Sequence, residues 1–99
     1  VLTYTTITGK NPSQCFVNVF KYLYNDEDYA IHLIEKIIEG TPNTNNLLGT
    51  EPLFDNRNKP RTTELDKGLY LFTNLSTAAK QRALLKFAES INLEIQINW

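Results

Sequence analysis

The sequence predicts a small α+β domain (mixed α/β), with the order β-α-α-(long loop)-β-α-β and a sheet of about three strands covered by helices. Three observations carry this. Two consecutive segments after Pro12 repeat apolar residues at helical spacing. The stretch from Gly68 to Ile91 reads as a strand, a polar turn and an amphipathic helix. The final residues, Leu93 to Trp99, alternate strictly between apolar and polar.

Val1–Thr8 is rich in threonine, tyrosine and β-branched residues, which suit a half-exposed strand that Gly9-Lys10 ends. Asn11-Pro12-Ser13-Gln14 then starts a helix: Asn11 can cap, Pro12 suits the first helical position, and Gln14 stands where a capping box wants it. Phe16, Val19, Phe20 and Leu23 form its apolar stripe, widened by Val17 and Tyr24. Asn25-Asp26-Glu27-Asp28 breaks the pattern and begins a second helix, with Ala30, Leu33, Ile34, Ile37 and Ile38 as its expected core face. Gly40 tolerates the left-handed backbone that ends a helix, and Pro42 prevents resumption. The pair should make a tight helical hairpin over one face of the sheet.

Residues 41–67 are dense in Asn, Thr, Pro, Asp and Gly and read as a long loop, pinned by Leu47, Leu48, Leu53 and Phe54. Gly68-Leu69-Tyr70-Leu71-Phe72 is a short strand. Ser76 or Thr77 caps a helix whose face is Leu84, Leu85, Phe87, Ala88 and Ile91, and Asn92 offers a one-residue exit to the last strand.

Length and composition point to one domain, residues 1–99: the chain is 41% hydrophobic with net charge −1, too apolar and too neutral for intrinsic disorder. The start at Val1 and the end at Trp99 inside a strand-like run lead us to expect a piece of a larger protein. Cys15 is the single cysteine, so no internal disulfide or CxxC zinc site can form, and it reads as a small buried apolar residue. No apolar run approaches the ~18 residues of a membrane span, and Val1–Thr8 reads as a strand and does not look like a signal peptide. A soluble, cytoplasmic domain is expected.

Signatures of catalysis are nearly absent. His32 is the only histidine; with Glu35 it forms an i,i+3 pair of the kind some metal sites use, on a helix side that charge alone would keep solvated. No GxxxxGK[ST], GxGxxG or GxSxG pattern occurs. We therefore expect no enzyme, no catalytic residues, no metal and no cofactor.

Charge is more informative. From Asn25 to Glu51 six acids face Lys36 alone, whereas from Pro52 to Ala88 seven cations (Arg57, Lys59, Arg61, Lys67, Lys80, Arg82, Lys86) face three acids, a net +4. A segregated basic region on a neutral domain suits a phosphate backbone, although ordinary solvated lysines give the same count. The turn Thr73-Asn74-Leu75-Ser76-Thr77 adds hydroxyl and amide side chains beside the free N–H groups of a helix N-terminus, a good set of phosphate donors. Asn74 could also pair bidentately with adenine in a major groove. Lys80 in the first helical turn opposes the dipole preference and calls for an anionic partner or open solvent.

This turn and the order of elements resemble the C-terminal DNA-binding domain of SeqA, the replication-sequestration protein that recognises hemimethylated GATC. That family joins a strand beginning Tyr-Trp to a helix with early basic residues through a Thr-Asn-Thr-Asn-Thr turn. The stretch here is Leu69-Tyr70-Leu71-Phe72-Thr73-Asn74-Leu75-Ser76-Thr77-Ala78-Ala79-Lys80, in which Thr73, Asn74, Thr77 and Lys80 match. Ser76 stands for the second asparagine, Leu75 for a threonine and Ala78 for a glycine. The Leu23-Tyr24 helix ending and the long polar loop take part in the similarity; the first and last strands do not. A comparable ending also looks like domains attached to bacterial restriction-modification proteins. The resemblance implies a bacterial, nucleoid-associated partner of double-stranded DNA, working beside other domains of a parent protein. The expected contacts are Thr73, Asn74, Ser76 and Thr77 at the turn, with Lys80, Arg82, Arg57, Lys59 and Arg61 on phosphates. The alternative is a protein-interaction or regulatory domain docking through the acidic hairpin or an edge strand, whose sign would be an exposed apolar patch on the hairpin. An RNA-binding reading would need Tyr70 and Phe72 to project from an open sheet face.

Overall fold

The computed structural model describes residues 6–99. Within them lie three helices and four strands: α1 (Pro12–Asn25), α2 (Glu27–Glu35), β1 (Ile37–Ile38), β2 (Leu48–Gly49), β3 (Thr62–Asp66), β4 (Leu69–Phe72) and α3 (Thr77–Ser90). The sheet is mixed and open, in the order β1-β2-β4-β3, with β1 parallel to β2 and the other pairs antiparallel. The α+β class expected from periodicity is the class observed. The expected first strand falls mostly on residues 1–5, outside the described residues; 6–9 form no strand.

The helix starts follow local chemistry. Asn11 Oδ1 accepts the Gln14 N–H at 2.9 Å, Pro12 occupies the first turn, and Gln14 Oε1 accepts the Lys10 N–H at 2.6 Å. Asp26 ends α1 in extended backbone and caps α2 by accepting the Asp28 N–H at 2.9 Å, so one residue serves both helices. Phe16 and Phe20 are fully buried, meet edge-on at 5.2 Å, and Phe20 meets Phe87 of α3 at 5.0 Å. Leu23, Leu33, Leu48, Leu71 and Leu84 join them in the core, and Cys15 is buried as a free thiol.

Four expectations are corrected. First, α2 stops at Glu35, and Ile37-Ile38, read as helix, pair in parallel with Leu48-Gly49. Two adjacent β-branched residues favour extended backbone. Ile34, assigned to the core, is exposed, as is Leu85 of α3. Second, Gly40 does adopt positive φ (103°), but it turns the chain after β1 instead of ending a helix. Its carbonyl accepts the N–H groups of Thr50 (2.8 Å) and Glu51 (3.1 Å). Gly49 crosses so close beneath it that a Cβ there would lie 2.5 Å from the Gly40 carbonyl oxygen and 2.7 Å from Pro42 Cδ.

Third, the long loop supplies two of the four strands of the sheet. It contains β2, a bridge between Phe54 and Pro60, and β3, which pairs with β4 through a Lys67-Gly68 turn where Gly68 takes φ 77°. Leu47 and Leu48 anchor the loop as expected and Leu53 is half-buried, while Phe54 is exposed. Fourth, Leu93–Trp99 joins no ladder. The alternation is real: Leu93, Ile95, Ile97 and Trp99 are half-buried against the core, and Glu94, Gln96 and Asn98 are exposed. Leu93 N–H bonds the Ala88 carbonyl at 2.8 Å, and the Gln81 carboxamide donates to the Trp99 carbonyl, so the segment returns along α3. Its period of two records one wet side and one dry side, and the dry side is a helix.

Candidate nucleic-acid interface

Residues 53–61 form a narrow finger leading into β3. Arg61 N–H bonds the Leu53 carbonyl at 2.7 Å, Phe54 bridges Pro60, and Asp55 N–H bonds the Lys59 carbonyl at 2.8 Å. Asp55 organises the tip: its Oδ1 accepts the N–H groups of Arg57 (2.8 Å) and Lys59 (2.9 Å), and Asn58 takes the left-handed backbone (φ 60°) that closes the turn. The Lys59 amide, then the Arg57 amide and less strongly the Arg61 guanidinium hold the Asp55 carboxyl below its ordinary value. With the backbone fixed by an internal carboxylate, the side chains of Arg57 and Lys59 stand exposed at the tip. Arg61 lies at the base, half-buried, with its Nε enclosed and without a hydrogen-bond partner among the described residues.

The turn after β4 meets this finger. Thr73 N–H bonds the Arg61 carbonyl at 3.0 Å, and Thr73 Oγ1 lies 3.3 Å from Thr63 Oγ1, sharing a hydrogen bond. The Thr73 hydroxyl is thus occupied by the sheet. Asn74 is exposed, and its carboxamide makes no hydrogen bond among the described residues. Ser76 is the N-cap: its Oγ accepts the Ala79 N–H at 3.2 Å. Thr77, the first residue of α3, is exposed. A helix leaves its first amides unpaired, and the Ser76 cap takes up only one of them directly.

Lys80 is the largest correction. It is only 5% exposed, and its ammonium donates to the Leu75 carbonyl at 2.6 Å. Burial lowers its pKa from the ordinary lysine value. The cation found neither of the partners expected for it; it folds back onto a carbonyl just ahead of its own helix and ties the turn to α3. It does not stand on the surface with the other cations. Arg82 is exposed on the next turn of α3 and makes no hydrogen bond or ion pair to the finger or the turn.

The expected residues therefore divide. Arg57, Lys59, Arg61, Thr73 and Asn74 share one end of the sheet, with Ser76 and Thr77 following at the head of α3. Lys80 is internal and Arg82 stands apart. Asp55 was missed, although an aspartate heading Asn56-Arg57-Asn58 carries a turn signal. Two further carboxylates on β3 are engaged by phenols: Asp66 by Tyr24 and Glu64 by Tyr70, which raises both tyrosine pKa values. Phe72 lies in the core, leaving Tyr70 as the accessible aromatic of β4. None of the expected site residues lines the 250 Å³ cleft between Lys36, the 44–48 segment and Lys86 of α3. Among the described residues no cluster of His, Cys, Asp or Glu could hold a metal ion, and no helix is long and apolar enough to cross a membrane. Comparison with protein-family models, with curated proteins and with solved structures found no match to this chain.

Proposed function

We propose that this domain binds double-stranded DNA through the finger at residues 53–61 and the turn at 73–77, as a module of a larger bacterial, cytoplasmic, nucleoid-associated protein. The observation that carries the reading is the 3.0 Å hydrogen bond from Thr73 N–H to the Arg61 carbonyl. It seats a finger bearing Arg57, Lys59 and Arg61 beside an exposed carboxamide and the head of a helix. Cations and helix amides fix a protein on phosphates, and a free carboxamide reads a base edge. A rigid backbone at the tip means that little ordering entropy opposes docking. The similarity of the turn to the SeqA family supports the same partner.

Fluorescence anisotropy with short duplexes across a salt series tests it. Each phosphate contact contributes about 0.9 to the slope of log affinity against log salt. The double change Arg57→Gln, Lys59→Gln should therefore flatten the slope by roughly 2 for every duplex sequence. Asn74→Ala should leave the slope and reduce the preference among sequences. Lys80→Met should leave the slope unchanged, since its ammonium is spent on the Leu75 carbonyl and not on a phosphate. Absence of binding to any duplex at low salt rejects the reading.

A further inference from the structure

Helix α2 presents apolar residues on two sides. Leu33 is buried and Tyr29 and Ala30 are half-buried against the domain, yet Ile31 is 63% exposed and Ile34 56%. At about 3.6 residues per turn, Ile34, Glu27, Ile31, Glu35 and Asp28 follow one another around a single outward arc. All five are exposed. None of the three carboxylates makes an ion pair among the described residues. An amphipathic surface helix keeps isoleucine on its inner stripe; here two isoleucines alternate with acids on the outer one.

We propose that this face of α2 docks a basic amphipathic helix from a partner protein. Ile31 and Ile34, one turn apart, give the ridge that a helix with apolar residues at i, i+3, i+4 and i+7 covers. Glu27, Asp28 and Glu35 around them select lysines or arginines flanking that stripe. A second copy meeting this face across a two-fold axis is disfavoured, because each carboxylate would approach its own counterpart. The surface is separate from the finger and the turn, so it stands or falls independently of DNA binding.

The probe is a short amidated Leu/Lys peptide with leucines at that helical spacing, alongside a scrambled peptide of the same composition and a Leu/Glu counterpart. Amide shifts of the labelled protein should move along α2 with the Leu/Lys peptide only. Ile31→Ser with Ile34→Ser should weaken binding by about tenfold, and Glu27→Gln with Glu35→Gln should reduce it and remove most of its salt dependence. Both variants should keep the parent amide spectrum elsewhere and the parent affinity for duplex DNA, because the changed side chains are exposed. Equal binding of the scrambled or Leu/Glu peptide, shifts outside α2, or no binding overturns the proposal. So does self-association in sedimentation that Ile31→Ser abolishes, which would make the occupant another copy.

Discussion

Helix α1 and the 53–61 finger hold their shapes by opposite means. Two turns of α1 sink Phe16 and Phe20 into the core, where Phe20 also meets Phe87 across the helix interface. The finger buries little: Phe54 is 52% exposed, and the tip is set by two amide hydrogen bonds to one solvent-facing carboxylate. Apolar burial is cooperative and belongs to the whole domain, whereas the Asp55 bonds are local. The exposed side chains of Arg57 and Lys59 can accordingly change with little cost to the fold, and that freedom suits a surface that must meet a partner.

The strongest way to break the comparison is to cut equal aromatic rings from the two regions. Phe20→Ala should cost about 3–5 kcal/mol, a large share of the roughly 5–15 kcal/mol available to a small domain. Phe54→Ala should cost under about 1 kcal/mol, as exposed substitutions do. Urea unfolding midpoints measure both. Similar losses would mean that the finger is part of the cooperative core and the division is false. Gly49→Ala comes next, at about 1–3 kcal/mol. Its new Cβ would meet the Gly40 carbonyl oxygen at 2.5 Å and the Pro42 ring at 2.7 Å, and neither can rotate away. Its thermal midpoint should fall while DNA affinity, measured well below that midpoint, stays unchanged.

The same division explains what the sequence could tell. Caps and apolar stripes are local patterns, so the starts of α1 and α3, a cap at Ser76 or Thr77 and a helix exit at Asn92 are legible in the sequence, and the structure assigns the cap to Ser76. The 41–67 segment was not, because its strands are short and its identity as sheet depends on β4, which pairs with both β2 and β3. Thr62-Thr63-Glu64 becomes a strand by lying beside Tyr70–Phe72. Ile34 and Ile37 looked equivalent at helical spacing until β1 claimed the second and left the first outside. At the site, exposure of Arg57, Lys59 and Asn74 could be anticipated from polarity. The inward turn of Lys80 could not: it depends on where the Leu75 carbonyl lies once the turn has folded.

The smallest effect sharpens the comparison most, because it separates the shape of the finger from its charge. Asp55 has a folded pKa below its ordinary 3.8, and both amides donate to its ionised form. Its contribution is therefore present above that unfolded value and lost as pH falls through the folded one. The Arg57 and Lys59 amide resonances should titrate with a midpoint below 3.8, and their exchange should quicken there, while core amides near Phe20 hold. Asp55→Asn keeps an oxygen acceptor and removes a negative charge beside the cations. Asp55→Ala removes the same charge and the acceptor with it. If the finger meets phosphates, Asp55→Asn should bind duplex DNA more tightly, by roughly fivefold at most, the weight of one charge at contact distance in water. Asp55→Ala should gain less, because its tip must be ordered on binding. Equal gains would show that charge alone matters and that the fixed backbone does not; a loss of affinity in Asp55→Asn would place the anion elsewhere on the molecule.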